Sequence, residues 1–194
     1  MILDPTASAA TLKRYTEPSP ATPWAAVTSL YCEVFTAEPY GEDPQDLAEI
    51  STWGPGFLAT PGSALVTASD AEGLVAFALG RPLSSDEGWQ RLLRRAQTPA
   101  ADALADTHGP VFIVQELATS PRARRRGIAR ACLERLVPRE DGLRAVLGVF
   151  AVATDALAFY ERLGFGSVGG VTVADGRRLE LLAAASATAE FLVA

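Results

Sequence analysis

The 194-residue sequence predicts one mixed α/β domain, with a mostly antiparallel central sheet, one parallel strand pair and helices on both faces. Three observations predict it. Residues 111–119, 127–137 and 143–152 read as strand, helix and strand, a right-handed crossover that makes the two strands parallel. The runs 64–69 and 74–81 flank Asp70-Ala-Glu-Gly73, and 168–173 and 178–182 flank Asp175-Gly176, so each pair reads as an antiparallel hairpin. Helical periodicity recurs outside the crossover, which supplies helices for more than one face.

Along the chain, residues 1–22 are rich in Pro, Thr, Ser and Ala and read as a loose lead-in. Apolar residues at helical spacing predict a helix over Trp24–Phe35, which TAEPYGEDP (36–44) ends. A short helix is expected over 45–53, and GPG and TPG within 54–62 read as turns. After the first hairpin, 85–105 reads as helical with a break near Pro99, an insertion ahead of the next strand. Val111–Thr119 is a strand, Gly127–Val137 a helix, Leu143–Val152 a strand and Asp155–Leu163 a short helix. The domain is expected to span 23–182, with 183–194 as a tail whose apolar end, Phe191-Leu-Val-Ala194, is a candidate homodimer contact.

Composition narrows the function. No apolar run approaches the roughly 18–20 residues of a membrane span, and the N-terminus lacks a basic-then-apolar signal, so a cytoplasmic protein without a membrane partner is expected. Cys32 and Cys132 sit in apolar helical patterns and read as buried thiols, not a disulfide framework. The single histidine, His108 beside Gly109-Pro110, reads as a loop residue, and one histidine builds no His-based metal site. A net charge of −6 argues against nucleic acid as a partner.

One stretch runs against that charge. SPRARRRGIARACLERL (120–136) places Arg122, Arg124, Arg125, Arg126 and Arg130 where a helix begins, the end at which cations cost stability. Three readings compete: a solvated basic face, a nucleic-acid patch, or a phosphate site. In the third, free N–H groups at the helix start bind an anion, Gly127 permits close approach, Ala129 stays small, and a polyphosphate offsets the repulsion among the five arginines. No Walker lysine is available, since the only lysine is Lys13. Gly164-Phe-Gly-Ser-Val-Gly169 matches G-x-G-x-x-G but follows a helix and precedes a strand, the wrong order for a dinucleotide site.

Two stretches resemble the GNAT superfamily of acetyl-CoA-dependent N-acetyltransferases. ELATSPRARRRGIARACLERL carries R/Q-x-x-G-x-G/A at Arg124-Arg-Arg-Gly127-Ile-Ala129, and ALAFYERLGF (156–165) carries A-x-x-x-Y-x-x-x-G-F. The resemblance covers 111–182 by motif and 23–81 by element order. It implies that the two parallel strands splay and that the pantetheine arm lies between them. It implies pairing of that arm with backbone groups of Leu117, Ala118 and Thr119. The pyrophosphate would rest on the N–H groups from Arg125 to Arg130, among them Arg126, Gly127, Ile128 and Ala129, with Arg124 and the other arginine side chains around it. Where the family often carries Asn, this chain has Ala153, so Thr154 or Asp155 is expected to substitute.

The chemistry implied is direct attack of a primary amine on the thioester in a ternary complex, without a metal. A backbone N–H near Leu117 is the candidate donor to the oxyanion. Tyr160, aimed by the turn through Gly164 at which Phe165 folds back toward Phe159 and Tyr160, is the candidate donor to the departing thiolate, although plain core is the other reading of that tyrosine, and Phe159 is a further candidate cofactor-binding residue. Gln115 is expected on the acceptor face with Ile113 and Leu117, and Glu116 on the opposite one by alternation. Glu33, Glu38 and Asp43 are candidate bases, although a solvated surface carboxylate is the favoured reading of each. Glu38, Tyr40 and Gln115 are the candidate acceptor-binding residues. A small-molecule amine is the expected acceptor. A protein lysine or N-terminus, or an inactive acyl-CoA-binding regulator, are the alternatives.

Overall fold

The computed structural model describes residues 10–184, apart from His108 and the side chain of Ser85. The loop histidine and the apolar end of the tail therefore lie outside the described residues. A seven-stranded sheet runs in the order β1-β2-β3-β4-β5-β7-β6, with β1 Thr11–Tyr15, β2 Ala64–Asp70, β3 Gly73–Pro82, β4 Val111–Thr119, β5 Arg144–Phe150, β6 Phe165–Thr172 and β7 Arg178–Ala184. Only the β4–β5 neighbours are parallel, as the crossover requires.

The helices are α1 Trp24–Phe35, α2 Pro44–Ala48, α3 Ile50–Leu58, α4 Glu87–Arg95, α5 Pro99–Ala105, α6 Ile128–Leu136 and α7 Thr154–Arg162. The helical segment over 85–105 thus divides where the proline requires: Thr98 caps α5 by accepting the Ala101 N–H at 3.1 Å, and Pro99 occupies its first turn.

Three apolar clusters hold the layers together. One lies beneath α6 and α7, a second beneath α1 and α3, and a third beneath α4 and α5. On β4, Phe112 and Val114 enter the first cluster while Val111 and Ile113 enter the third, so the two sets occupy opposite faces of the sheet. Cys132 is buried in the first cluster, which pushes its thiol up to about 12, whereas Cys32 is only half-buried; both are free.

Two local expectations are corrected. The lead-in contains a strand: β1 pairs antiparallel with β2, from Thr11 opposite Ser69 to Tyr15 opposite Leu65. Its mostly polar residues hide it, but Leu12 packs onto the first cluster and Tyr15 onto the second. Gly54-Pro55-Gly56 is helical, inside α3. A Cβ on Gly54 would stand 2.5 Å from the Trp24 ring, so glycine there serves helix packing, not a turn. Pro55 removes a helical N–H whose acceptor would be on exposed Ser51, where water is available.

Candidate active site

The parallel pair is in register only from Val111 opposite Arg144 to Ile113 opposite Val146. Beyond that point β4 and β5 diverge, and a cavity of about 1200 Å³ opens between them. Along β4, the Ser120 N–H donates to the Val75 carbonyl at 2.8 Å. Strand alternation then turns the backbone groups of Ala118 toward β3 and those of Leu117 and Thr119 toward the gap. In agreement, Arg124 Nε reaches the Thr119 carbonyl from the gap side at 3.4 Å. Leu117 and Thr119 line the cavity; Ala118 is buried beneath α1 and does not.

At one end of the cavity stands the start of α6. Gly127, at φ +75°, is its N-cap, no side chain caps the helix, and a Cβ on Gly127 would meet nothing within 4 Å. Arg125 also adopts a left-handed conformation, φ +61°. The local sequence therefore bends the chain so that the first-turn N–H groups face open space, an anion-binding arrangement. Arg124, Arg125, Gly127, Ile128, Ala129 and Arg130 are on the cavity wall, and Arg126 is not.

The five arginines do not share one counter-charge. Arg122 is held by Asp70 at 2.7 and 3.1 Å, with Glu72 at 3.5 Å, and Arg130 donates to Glu134 at 2.9 Å. The Arg122 guanidinium keeps the Asp70 carboxyl below the usual carboxylate range. An anion at the helix start is therefore not needed to offset Arg122, which corrects the reading that a polyphosphate balances all five.

The residues present fit a CoA thioester. The open edge of β4, the uncapped first turn of α6 and the wall arginines supply donors for an extended, diphosphate-bearing chain. Thr119 Oγ1 is buried at this wall with no hydrogen-bond partner, a polar atom that a bound ligand would satisfy.

Tyr160 lines the cavity from α7 and is itself buried, between Phe159 at 5.1 Å and Phe165 at 5.5 Å, both edge-on. Burial raises its pKa above the usual phenol value, with Tyr40 and Glu116 adding to the shift, so the hydroxyl stays protonated. Ala153, Thr154 and Asp155 line the wall at the start of α7. Tyr40, on the α1–α2 connection, stacks on Phe35 at 4.6 Å, and burial raises its pKa too, with Arg124 opposing and Asp155 reinforcing.

The other end of the cavity is built by a β-bulge. Leu79 pairs with Glu116 and Gly80 with Val114, which leaves Gln115 as the extra residue on β4. A Cβ on Gly80 would stand 2.5 Å from both the Ile113 carbonyl oxygen and the Phe112 ring, so only glycine admits β4 this close. The bulge reverses the alternation: Leu117 packs with the first cluster, opposite to Ile113.

Glu116 consequently faces α1 and lines the cavity, where Tyr31 and the neighbouring Gln115 favour the charged form of its carboxyl. This overturns the expectation that alternation points it away from the acceptor side. Burial lifts its pKa to about 7, against the pull of the Tyr31 and Gln115 hydrogen bonds. Burial, reinforced by Glu116, likewise raises the pKa of Tyr31. Glu116 is the residue sequence reasoning missed; the signal was Gly80, an isolated glycine in a strand pattern, which marks a bulge.

Of the earlier candidate bases, Glu38 lines the cavity at its exposed rim. Glu33 instead accepts the Ser120 hydroxyl at 2.9 Å, and Asp43 caps α2 through the Gln45 N–H at 2.7 Å. Gln115 lines the cavity, with Trp53 and Trp89. Among the described residues no cluster of His, Cys, Asp or Glu is arranged to hold a metal, and no helix is long and apolar enough to cross a membrane.

Comparison with known proteins agrees with this geometry. The sequence model of the Acetyltransferase (GNAT) family matches residues 24–165. A search of curated proteins found no match. Among solved structures, one from Corynebacterium glutamicum, described as histone acetyltransferase HPA2 and related acetyltransferase, shares 23% identity at a TM-score of 0.59, covering 90% of this chain and 95% of that one. A GNAT-family structure from Desulfovibrio desulfuricans shares 17% at 0.59, covering 90% and 98%. Arabidopsis thaliana NAA60 in complex with acetyl-CoA shares 14% at 0.55, covering 89% and 97%. At these identities the likeness is one of fold.

Proposed function

Because this chain belongs to the acetyltransferase (GNAT) family and is an acetyl-CoA-dependent acyltransferase, we propose that it acetylates the primary amine of a small cationic molecule. The acceptor end of the cavity carries this reading. Glu38, Glu42, Asp46 and Glu116 supply carboxylates there, and Tyr31, Trp53 and Trp89 supply rings. Carboxylates raise the local concentration of ammonium groups, and ring faces attract their charge. The two segments enclosing this end are tied together: Arg177, in the β6–β7 turn, donates to Glu42 at 2.7 Å and to the Tyr40 carbonyl at 3.2 Å, and its guanidinium lies 3.9 Å over the Phe150 ring. That tie supports a compact acceptor over an extended peptide, which needs an open channel.

Acetyl-CoA supplies the activated thioester, and the chain positions and moves protons around it. The start of α6 with Arg124, Arg125 and Arg130 is suited to its diphosphate, and Leu117 and Thr119 to its pantetheine arm. Glu116, held at about 7, is matched to accept the ammonium proton at neutral pH. The Leu117 N–H, directed into the gap, is placed to donate to the acetyl oxygen as charge develops on it. Tyr160 donates a hydrogen bond to the departing sulfur. A full proton transfer would run uphill, because its pKa is raised while a thiol sits near ~8.5.

The test is CoA release, followed with a thiol reagent, over a panel of small amines and of peptides. Small cationic amines are expected to be the better acceptors. Turnover confined to peptide lysines or N-termini overturns the acceptor class. Acetyl-CoA binding without release on any amine overturns the transferase reading in favour of a regulator.

A further inference from the structure

Helix α4 makes one polar contact with the strand that carries the base. The Trp89 indole N–H donates to Gln115 Oε1 at 3.0 Å, across 26 residues of sequence. An indole nitrogen can only donate, so this bond assigns both ends of the amide: the oxygen faces Trp89 and the NH₂ group faces elsewhere. Gln115 is the extra residue of the bulge and the immediate neighbour of Glu116.

Trp89 is itself anchored. Asp86 accepts its backbone N–H at 3.0 Å, and the same carboxylate is gripped by Arg81, whose Nε lies 3.0 Å away. Arg81 follows Gly80 on β3, the residue beside which β4 bulges. The chain from the bulge through Arg81, Asp86 and Trp89 to Gln115 therefore closes on itself, with Glu116 beside its last member.

We propose that Trp89 is a positioning residue for Glu116: by fixing the Gln115 amide it presents an N–H to the Glu116 carboxylate and holds that carboxylate at the acceptor end of the cavity. This rests on the reading of Glu116 as the base. Hydrogen bonding from Gln115 opposes the upward shift that burial imposes on Glu116. The other groups facing this carboxyl are Tyr31 on α1, Glu42 with its Arg177 partner, and Tyr160 on α7. Among the described residues the Trp89 side chain hydrogen-bonds Gln115 and none of these groups, so the Trp89 effect runs through Gln115.

The experiment is a ¹³C-carboxyl NMR titration of Glu116 in the full chain, assigned with Glu116→Gln, for the parent, Trp89→Phe, Gln115→Met and the double variant. Loss of one charge-assisted hydrogen bond corresponds to an upward pKa shift of about one unit. Both single variants are expected to show it, and the double variant is expected to show no more than Gln115→Met alone. A Glu116 titration unmoved in Trp89→Phe overturns the proposal. Should Trp89→Phe fail to fold, an unmoved titration in Gln115→Met does the same. The acid limb of kcat/KM, measured with an amine found active in the CoA-release panel, is expected to move with the titration. A limb that survives Glu116→Gln overturns the base reading even where the NMR shift appears, which separates the two failures.

Discussion

Glu116 makes the fold itself sensitive to pH in a direction opposite to most carboxylates. Its pKa is about 7 in the folded chain against an ordinary value of 4.5. The folded state therefore favours the neutral acid. The stability associated with that preference is fully present below about pH 4.5 and is lost as pH rises through 7. A shift of this size corresponds to about 3 kcal/mol at ~1.4 kcal/mol per unit. It is an upper value, because Glu116 is only half-buried by surface area and its cavity side admits water. Glu116→Gln keeps the size of the side chain and removes the titration. Any fixed cost of the amide, such as an imperfect bond to Tyr31, is the same at every pH and cancels between two pH values. Urea unfolding of parent and variant at about pH 4.5 and about pH 8.5 should show the variant gaining on the parent by up to about 3 kcal/mol between the two. Turnover should fall at the same time, so the substitution stabilises the alkaline protein while disabling it. A stability difference that is flat with pH would refute the raised pKa, and with it the physical basis for Glu116 as a base at neutral pH.

Tyr160→Phe should lower kcat far more than it changes acetyl-CoA affinity, which steady-state kinetics and calorimetry together resolve; unchanged turnover removes the hydroxyl from the chemistry. Arg124→Ala should weaken acetyl-CoA binding by about tenfold, the scale of one charge-assisted contact, whereas Arg122→Ala should change it by no more than about twofold, because Asp70 already holds that guanidinium at 2.7 Å. Gly80→Ala forces a Cβ to within 2.5 Å of a backbone oxygen, a strain of about 1–3 kcal/mol that denaturant unfolding would register, and it should depress turnover as β4 and its bulge are displaced.

The two ends of this site differ in how they are written into the chain. The anion end is local. Arg124, Gly127 and Ala129 are contiguous with the strand before them and the helix after them, and the backbone N–H groups that matter come from that same stretch, so the spacing of a few residues discloses it. The crossover and the hairpins are legible for the same reason, since each is a change of period bounded by turn residues. Short β1 and the Gly-Pro-Gly segment of α3 are not, because each is decided by a distant partner: β2 for the strand, and the Trp24 ring for Gly54.

The end of the cavity around Glu116, the proposed acceptor end, belongs to this second kind. Glu116 faces the cavity because a glycine 36 positions earlier admits a bulge, its carboxylate is met by Tyr31 from the first helix, and the wall is tied by Arg177 to Glu42 across 135 residues. Strict alternation along 111–119 places Glu116 on the wrong face, and no reading confined to that strand can correct it. Under the proposed function, co-substrate binding would draw on a continuous stretch, whereas acceptor choice would draw on contacts between segments far apart in sequence, where single substitutions could reshape the pocket without disturbing the start of α6. Substitutions at Trp53, Trp89 or Glu42 should accordingly alter which amines are accepted while acetyl-CoA binding stays constant.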